Sequence, residues 1–311
     1  MLGASTPLID LLDRRLHQLH TSRPDLETAV QVQGVLLRQT LSSPREPLVE
    51  PFPLPRERLL AKLHTGIPAL HDEPASVDVD YAAELFGRLL DSLSDWEKPA
   101  DPFSRVRVQA LADAAASGRL DLDRLFTEAF VQHPDHLAEL AGLAGVDHDL
   151  LPTLARQAVA PLLQAYARHL LPLIERGPAW ERGYCPVCGG WPVLAELRGV
   201  EQAQHLRCSA CGSAWRARRL ACPYCGTDDS RLLHALRVEG EDRFSASVCD
   251  QCRGYLKVGN GFDPTPSTLL PLDDLASMHL DLVAIERGYE RPAGSGFRIE
   301  LGVPGEDEEE W

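Results

Sequence analysis

Eight cysteines, all lying between Cys185 and Cys252, constrain this 311-residue chain more than any other feature. They form four pairs with one spacing: Cys185-Pro-Val-Cys188, Cys208-Ser-Ala-Cys211, Cys222-Pro-Tyr-Cys225 and Cys249-Asp-Gln-Cys252. Two residues between cysteines let one tight turn aim two thiolates at a single metal ion. Two such turns face to face complete the tetrahedral four-sulfur set that zinc, or a lone iron, accepts. Glycine follows three of the pairs (Gly189, Gly212, Gly226), where the chain leaving the second ligand needs a positive φ. Nineteen residues separate Cys188 from Cys208 and twenty-three separate Cys225 from Cys249, both reasonable for a hairpin. Only ten separate Cys211 from Cys222, which suits a link between two sites. The first pair therefore goes with the second, and the third with the fourth.

Other uses of cysteine fit less well. A disulfide framework belongs to small secreted domains, whereas Met1-Leu-Gly-Ala-Ser has no basic region followed by an apolar run. Arg14-Arg15 lies inside an amphipathic pattern, without the apolar segment that an export signal requires. A thioredoxin-like dithiol needs one such pair at the head of a helix in a βαβ unit. No run reaches the apolar length that spans a bilayer. The expectation is a cytoplasmic metal-binding protein with no membrane partner.

Charge sharpens this. The net charge of −15 argues against nonspecific nucleic-acid binding. Residues 176–260 nevertheless carry twelve Lys or Arg against nine Asp or Glu, leaving the metal region about +3 and the remainder about −18. Arg207, Arg216, Arg218 and Arg219 make the one basic cluster, placed to meet an acidic partner surface or the chain's own acidic helices.

Before residue 185 the apolar residues recur at helical spacing and strand-like alternation is nearly absent. Helical patterns start at Thr6-Pro7 and after Ser22, then cover Leu54–His64, Val79–Leu93, Phe103–Ser117, Leu122–Val131 and Pro134–Leu143. A long one from near Asp147 contains Pro161, which should kink it. Five prolines in residues 42–55 forbid helix interior and central strand, giving an extended connection. Short strands are expected at Val193–Leu197, Gln204–Leu206 and Trp215–Leu220 around the first site. Leu232–Val238, Phe244–Val248 and Tyr255–Val258 should surround the second. Trp191, Trp215, Tyr224 and Tyr255 would shield the sulfurs. A last helix carries Leu272, Leu275, Met278, Leu282 and Ile285 and ends near Gly288, and the tail from Glu306 reads as disordered.

The fold class expected is α+β: an all-α N-terminal domain (1–180), tandem zinc-ribbon-like Cys₄ modules (181–262), and a closing C-terminal helix with an acidic tail (263–311). Each ribbon has few apolar residues, so metal binding and folding should be coupled. His133 and His136 have a metal-compatible spacing but read better as helix-end residues, and His205 is unnecessary as a ligand beside four cysteines. No Ser-His-Asp order, phosphate loop or dinucleotide fingerprint appears. A closed Cys₄ site leaves no open coordination position for a substrate, so the chain reads as a non-enzyme. Three classes remain: an assembly or binding protein, an electron or sulfur donor acting through the metal, and a nucleic-acid-binding zinc ribbon, which the negative charge disfavours.

The run Tyr184-Cys-Pro-Val-Cys-Gly, then Leu206-Arg-Cys-Ser-Ala-Cys, Cys222-Pro-Tyr-Cys-Gly and Cys249-Asp-Gln-Cys-Arg-Gly-Tyr-Leu-Lys, resembles the FdhE family of formate dehydrogenase accessory proteins. The resemblance extends to the helical half and to Leu272-Asp-Asp-Leu-Ala. It implies all eight cysteines as ligands of two mononuclear rubredoxin-like centres, with iron preferred over zinc. It further implies a cytoplasmic assembly factor whose partner is the catalytic subunit of formate dehydrogenase; the basic cluster, read from charge alone, makes Arg216, Arg218 and Arg219 the candidate contacts.

Overall fold

The computed structural model describes residues 5–50, 52–94, 104–261 and 263–302, so the acidic tail and the Phe103 start of one helical pattern lie outside it. Eight α-helices precede the first cysteine among these residues: α1 (Ser5–Ser22), α2 (Glu27–Leu41), α3 (Arg56–Thr65), α4 (Val79–Ser94), α5 (Arg105–Ala116), α6 (Leu122–Phe130), α7 (Pro134–Ala144) and α8 (Leu150–Ile174). None is long and apolar enough to cross a membrane. The chain divides into two compact units, Met1–Glu50 with Ser76–Ala165, and Pro51–Ala75 with Tyr166–Trp311.

The first unit is helical because its apolar residues repeat at three and four. In α4 the buried set is Tyr81, Ala82, Leu85, Phe86, Leu89, Leu90 and Leu93, and Phe86 meets Phe126 of α6 edge-to-face at 5.7 Å. Burial of these mostly aliphatic faces is the main favourable term here, and the aromatic pair adds to it. Aspartates start several helices by accepting orphan N–H groups. Asp78 takes Tyr81 N at 2.9 Å, Asp121 takes Arg124 N at 3.0 Å and Asp147 takes Leu150 N at 2.8 Å. Asp121→Ala is expected to lower stability by about 1 kcal/mol, seen as a shift in urea midpoint with the slope unchanged. The residues at the proline-rich connection that are described form no helix or strand, and α8 is assigned as one helix through Pro161.

The second unit is built on one six-stranded sheet. Its strands are β1 (Pro192–Arg198), β2 (Ala203–Cys208), β3 (Ala214–Arg216), β4 (Leu233–Leu236), β5 (Phe244–Cys249) and β6 (Tyr255–Gly261), in the order β3-β2-β1-β6-β5-β4. The arrangement is a repeat: cysteine turn, hairpin, cysteine turn, third strand, twice over. Within each copy the strands are antiparallel. The copies join through a parallel β1–β6 pairing, Leu194 opposite Lys257 through Arg198 opposite Gly261. Tandem ribbons thus share one sheet.

Period-two alternation puts Phe244, Ala246 and Val248 on one face, where they pack with Leu236, Tyr255, Leu280 and Ala284. The covering element, expected as one helix, is two: α9 (Leu270–Ala276) and α10 (Met278–Glu286). They meet at Ser277, fully buried, whose hydroxyl donates to Asp273 O at 2.7 Å and so competes with the helix ladder.

Candidate metal centres

Each cysteine pair sits on the same turn. The N–H of its first cysteine donates to the carbonyl five residues on: Cys185 to Gly190, Cys208 to Ser213, Cys222 to Thr227 and Cys249 to Gly254, all at 2.8–2.9 Å. The chain then turns through a left-handed residue. Gly189, Gly212 and Gly226 do this at φ 73°, 68° and 76°, as their positions require, and Arg253 does it in the fourth turn at φ 58°. A non-glycine there is strained, by roughly 1 kcal/mol. Arg253 is held nonetheless, its guanidinium 4.0 Å from the Tyr289 ring centre and donating to Arg287 O and Gly288 O.

The sheet brings the turns together in the expected pairs. Cys185, Cys188, Cys208 and Cys211 form one cluster, and Cys222, Cys225, Cys249 and Cys252 the other. In the first, Cys185–Cys211 and Cys188–Cys211 are 3.6 Å apart and Cys188–Cys208 3.4 Å. In the second, Cys222–Cys252 are 3.6 Å and Cys225–Cys249 3.7 Å apart. A tetrahedron with metal–sulfur bonds of about 2.3 Å has edges of about 3.8 Å, so both donor sets fit a single ion.

Electrostatics points the same way. Burial pushes the Cys185 thiol well above its ordinary value. Cys211 is equally buried, but hydrogen bonds from its neighbouring cysteines and Ser213 hold it well below. In the second cluster burial raises Cys222, and raises Cys252 to about 11. Burial also opposes ionisation of Cys249, where the N–H groups of Cys252 and Gln251 outweigh it and lower the thiol. Four thiolates crowded into one small volume need a cation to ionise together.

The clusters differ in surroundings. All four cysteines of the first are at most 1% exposed. Residues 69 and 70 close over its first turn, donating to Pro186 O at 2.8 Å and Val187 O at 3.0 Å. The C-terminal segment crosses it too, with Gly296 and Phe297 N–H groups on Gly189 O. Ser213, absent from the sequence reading, places its hydroxyl 2.9 Å from Cys211 Sγ. In the second cluster Cys222 and Cys249 are buried, Cys252 is intermediate and Cys225 is exposed.

Of the residues expected to shield sulfur, Tyr224 meets Trp191 edge-to-face at 5.2 Å and lies against Gly254, beside Cys252. Trp215 is buried and donates to Arg182 O at 3.2 Å. Tyr255 does something else: it packs under α10 and donates to Asp281 at 2.8 Å. His205 is outside both clusters, its Nδ1 3.1 Å from Ala203 O. His133 and His136 converge on Glu128 Oε2 at 2.9 and 2.8 Å, a hydrogen-bonded cluster at the helix end.

The arginines divide. Arg216, Arg218 and Arg219 are exposed, and Arg218 reaches Asp228 at 3.3 Å. They line a cleft of about 790 Å³ with Arg182, Trp215 and Cys222. Arg207 is buried instead, bonded to Glu196 at 2.5 Å and Thr265 O at 2.8 Å, so it braces the sheet and leaves the surface cluster.

No family model matches the sequence. The chain is similar to an FdhE homolog of Rhizobium meliloti, 29% identical over 229 residues, covering 64% of this chain and 74% of that one. It is 33% identical to FdhE of Escherichia coli over 155 residues (49% and 48% of the chains). An FdhE homolog of Aquifex aeolicus is 31% identical over 150 residues (47% and 51%). The matched stretch thus spans about half the length of the latter two. The crystal structure of the FdhE protein from Pseudomonas aeruginosa shares the fold, with a TM-score of 0.57 over 92% of this chain and 94% of that one at 24% identity. Four like cysteine turns on one duplicated sheet thus accompany a similarity to FdhE proteins in sequence and, for one of them, in fold.

Proposed function

We propose that this protein is a cytoplasmic accessory factor for the maturation of formate dehydrogenase. It binds the catalytic subunit and carries two mononuclear metal ions, iron in preference to zinc, ligated by the eight cysteines. The observation that carries the metal assignment is the pair of complete four-sulfur sets at tetrahedral spacing. When bound, such an ion supplies a structural crosslink and, if iron, one reversible electron. The chain's own residues fix the sulfurs, through four backbone turns, and exclude water from the first set. With all four positions filled by sulfur there is none for a substrate, which supports a binding protein and not an enzyme.

A second reading, a rubredoxin-like electron or sulfur donor, draws support from the exposed Cys225. Reversible reduction of the bound iron in the isolated protein favours it, and redox-silent zinc counts against it.

The test of the accessory role is genetic. Cells lacking the protein are expected to synthesise the catalytic subunit in normal amount but in inactive form, with activity restored by the wild-type chain. Full activity in the deletion strain would overturn the proposal. Arg216, Arg218 and Arg219 are the proposed client contacts, since they crowd one wall of a cleft in an otherwise acidic protein. Reversing all three charges is expected to slow association with the client about tenfold or more and to flatten its salt dependence. Unchanged kinetics would move recognition elsewhere.

A further inference from the structure

We infer that the two centres are not equivalent: the second is the exchangeable one, open to incoming ligands at Cys225, while the first is locked. The inference rests on the two-metal reading and adds which centre is reactive. Three independent observations converge on it.

Sulfur burial is the first. The first centre hides all four cysteines, whereas the second leaves Cys225 exposed and Cys252 half-covered.

The second is what stands behind the turns. A Cβ built on Gly189 would meet Phe297 O at 2.2 Å, and one on Gly212 would meet Ser267 Cβ at 2.5 Å. The corresponding atom on Gly226, next to Cys225, meets nothing within 4 Å. The chain is walled in around both turns of the first centre, whereas the third turn, packed at Pro223, is open beside Gly226.

The third is tethering. The first turn is bonded to residues 69 and 70 and to residues 296 and 297. Moving Cys185 or Cys188 off an ion means breaking those contacts. Among the described residues, the backbone bonds of the turn holding Cys222 and Cys225 are its own closure, Cys222 to Thr227 and Gly226 to Cys222.

Access decides how fast a four-sulfur site exchanges, because the incoming ligand has to reach the ion while one thiolate departs. With an ion bound, Cys225 would be the ligand that leaves, its thiolate taking a proton from solvent. A chelator donor, or an incoming thiol that gives its own proton to solvent, would take its place, with no change in oxidation state. Cys222 and Gly226 also line the cleft of Arg216, Arg218 and Arg219. A client seated there therefore lies against Cys222, a ligand cysteine of the exchangeable centre, while the turns of the locked one contribute Pro186 and no cysteine.

The experiment uses the full-length protein reconstituted with zinc, its metal content measured first. Excess 4-(2-pyridylazo)resorcinol is added, and metal release is followed by absorbance. After half the metal has left, the free thiols are alkylated with N-ethylmaleimide and mapped by peptide mass spectrometry. The expected result is two ions per chain released in two phases of equal amplitude, the faster by roughly ten- to a hundredfold. The label should fall on Cys222, Cys225, Cys249 and Cys252. Release at a single rate, or label on Cys185, Cys188, Cys208 and Cys211, overturns the inference while leaving two metals intact. Fewer than two ions at the outset contradicts the two-metal reading and takes the inference with it. As an independent arm, Gly226→Ala, which meets no neighbour but strains a positive φ, is expected to alter the fast phase alone. A change in the slow phase alone counts against the assignment.

Discussion

Replacing Cys185 by serine is expected to unfold the whole six-stranded sheet, and not the first ribbon alone. Spacing read in isolation suggests that each site holds its own module. The fold joins them. The first turn feeds β1, β1 pairs with β6, and β6 leads out of the fourth turn. A strap at residues 289–302 bonds to both, Glu290 N to Arg253 O and Gly296 N to Gly189 O. Even the chain before the first turn touches the third: a side chain on Gly183 would collide with Pro223 O at 1.7 Å. A structural zinc set contributes about 10–16 kcal/mol of apparent binding free energy, against a total folding stability of about 5–15 kcal/mol. Losing the ion of the first centre, whose turn ties in residues 69–70 and the strap, therefore removes more than the remaining core supplies. The third turn carries only its own closure, and its ion leaves with the sheet standing. Limited proteolysis with mass mapping should find new cuts throughout residues 185–261, with the helical unit resistant. Cuts confined to residues 185–216 would show that the copies fold independently.

The second large effect is expected at Lys257, on the strand that joins the copies. Its ammonium is 1% exposed and lies 2.7 Å from both Asp274 and Asp281. Arg291 bridges the same carboxylates at 2.6 and 2.7 Å, and the Tyr255 hydroxyl donates to Asp281 at 2.8 Å. Asp281→Ala leaves two cations, the buried Lys257 and the half-buried Arg291, to share the single carboxylate of Asp274. It should lower stability by about 3–5 kcal/mol, whereas a surface pair costs under about 1 kcal/mol. The urea midpoint reports it, and a loss within the surface range would mean that water reaches Lys257.

The same network sets a pH dependence. Burial opposes ionisation of Asp274, but Arg291 and Lys257 outweigh it and hold its carboxyl below the usual range. A depressed folded-state value stabilises fully above the unfolded carboxylate pKa near about 3.9, and that contribution fades as pH falls through the folded value. The stability gap between wild type and Asp274→Asn should close as pH falls below about 4.

What was legible in the sequence follows from the range of the forces. Helices α4, α6 and α7 repeat apolar residues locally, so their limits emerged within about two residues. Cysteine spacing is likewise local, and it gave both clusters and their pairing. The long-range features stayed hidden. Nothing in Pro192–Arg198 announces a parallel partner sixty residues on. Arg207 looked like one of four surface arginines because neighbours in sequence said nothing about Glu196 and Thr265 across the sheet. Residues 69–70 and the strap carry no cysteine or strand signal, yet they decide which centre is closed. Alternation marked Tyr255 as a strand residue, but only the position of α10 determines that its hydroxyl turns to Asp281 and away from sulfur.

The proposed function makes this chain a two-metal partner of formate dehydrogenase. Affinity capture tests it most directly: tagged full-length protein is recovered from cells making the enzyme, and proteins and metals in the eluate are quantified together. The account predicts the catalytic subunit bound to a chain carrying two ions, and its loss from a variant lacking all eight cysteines. Recovery of a metal-loaded chain with no catalytic subunit, or equal capture by the cysteine-free variant, would contradict it.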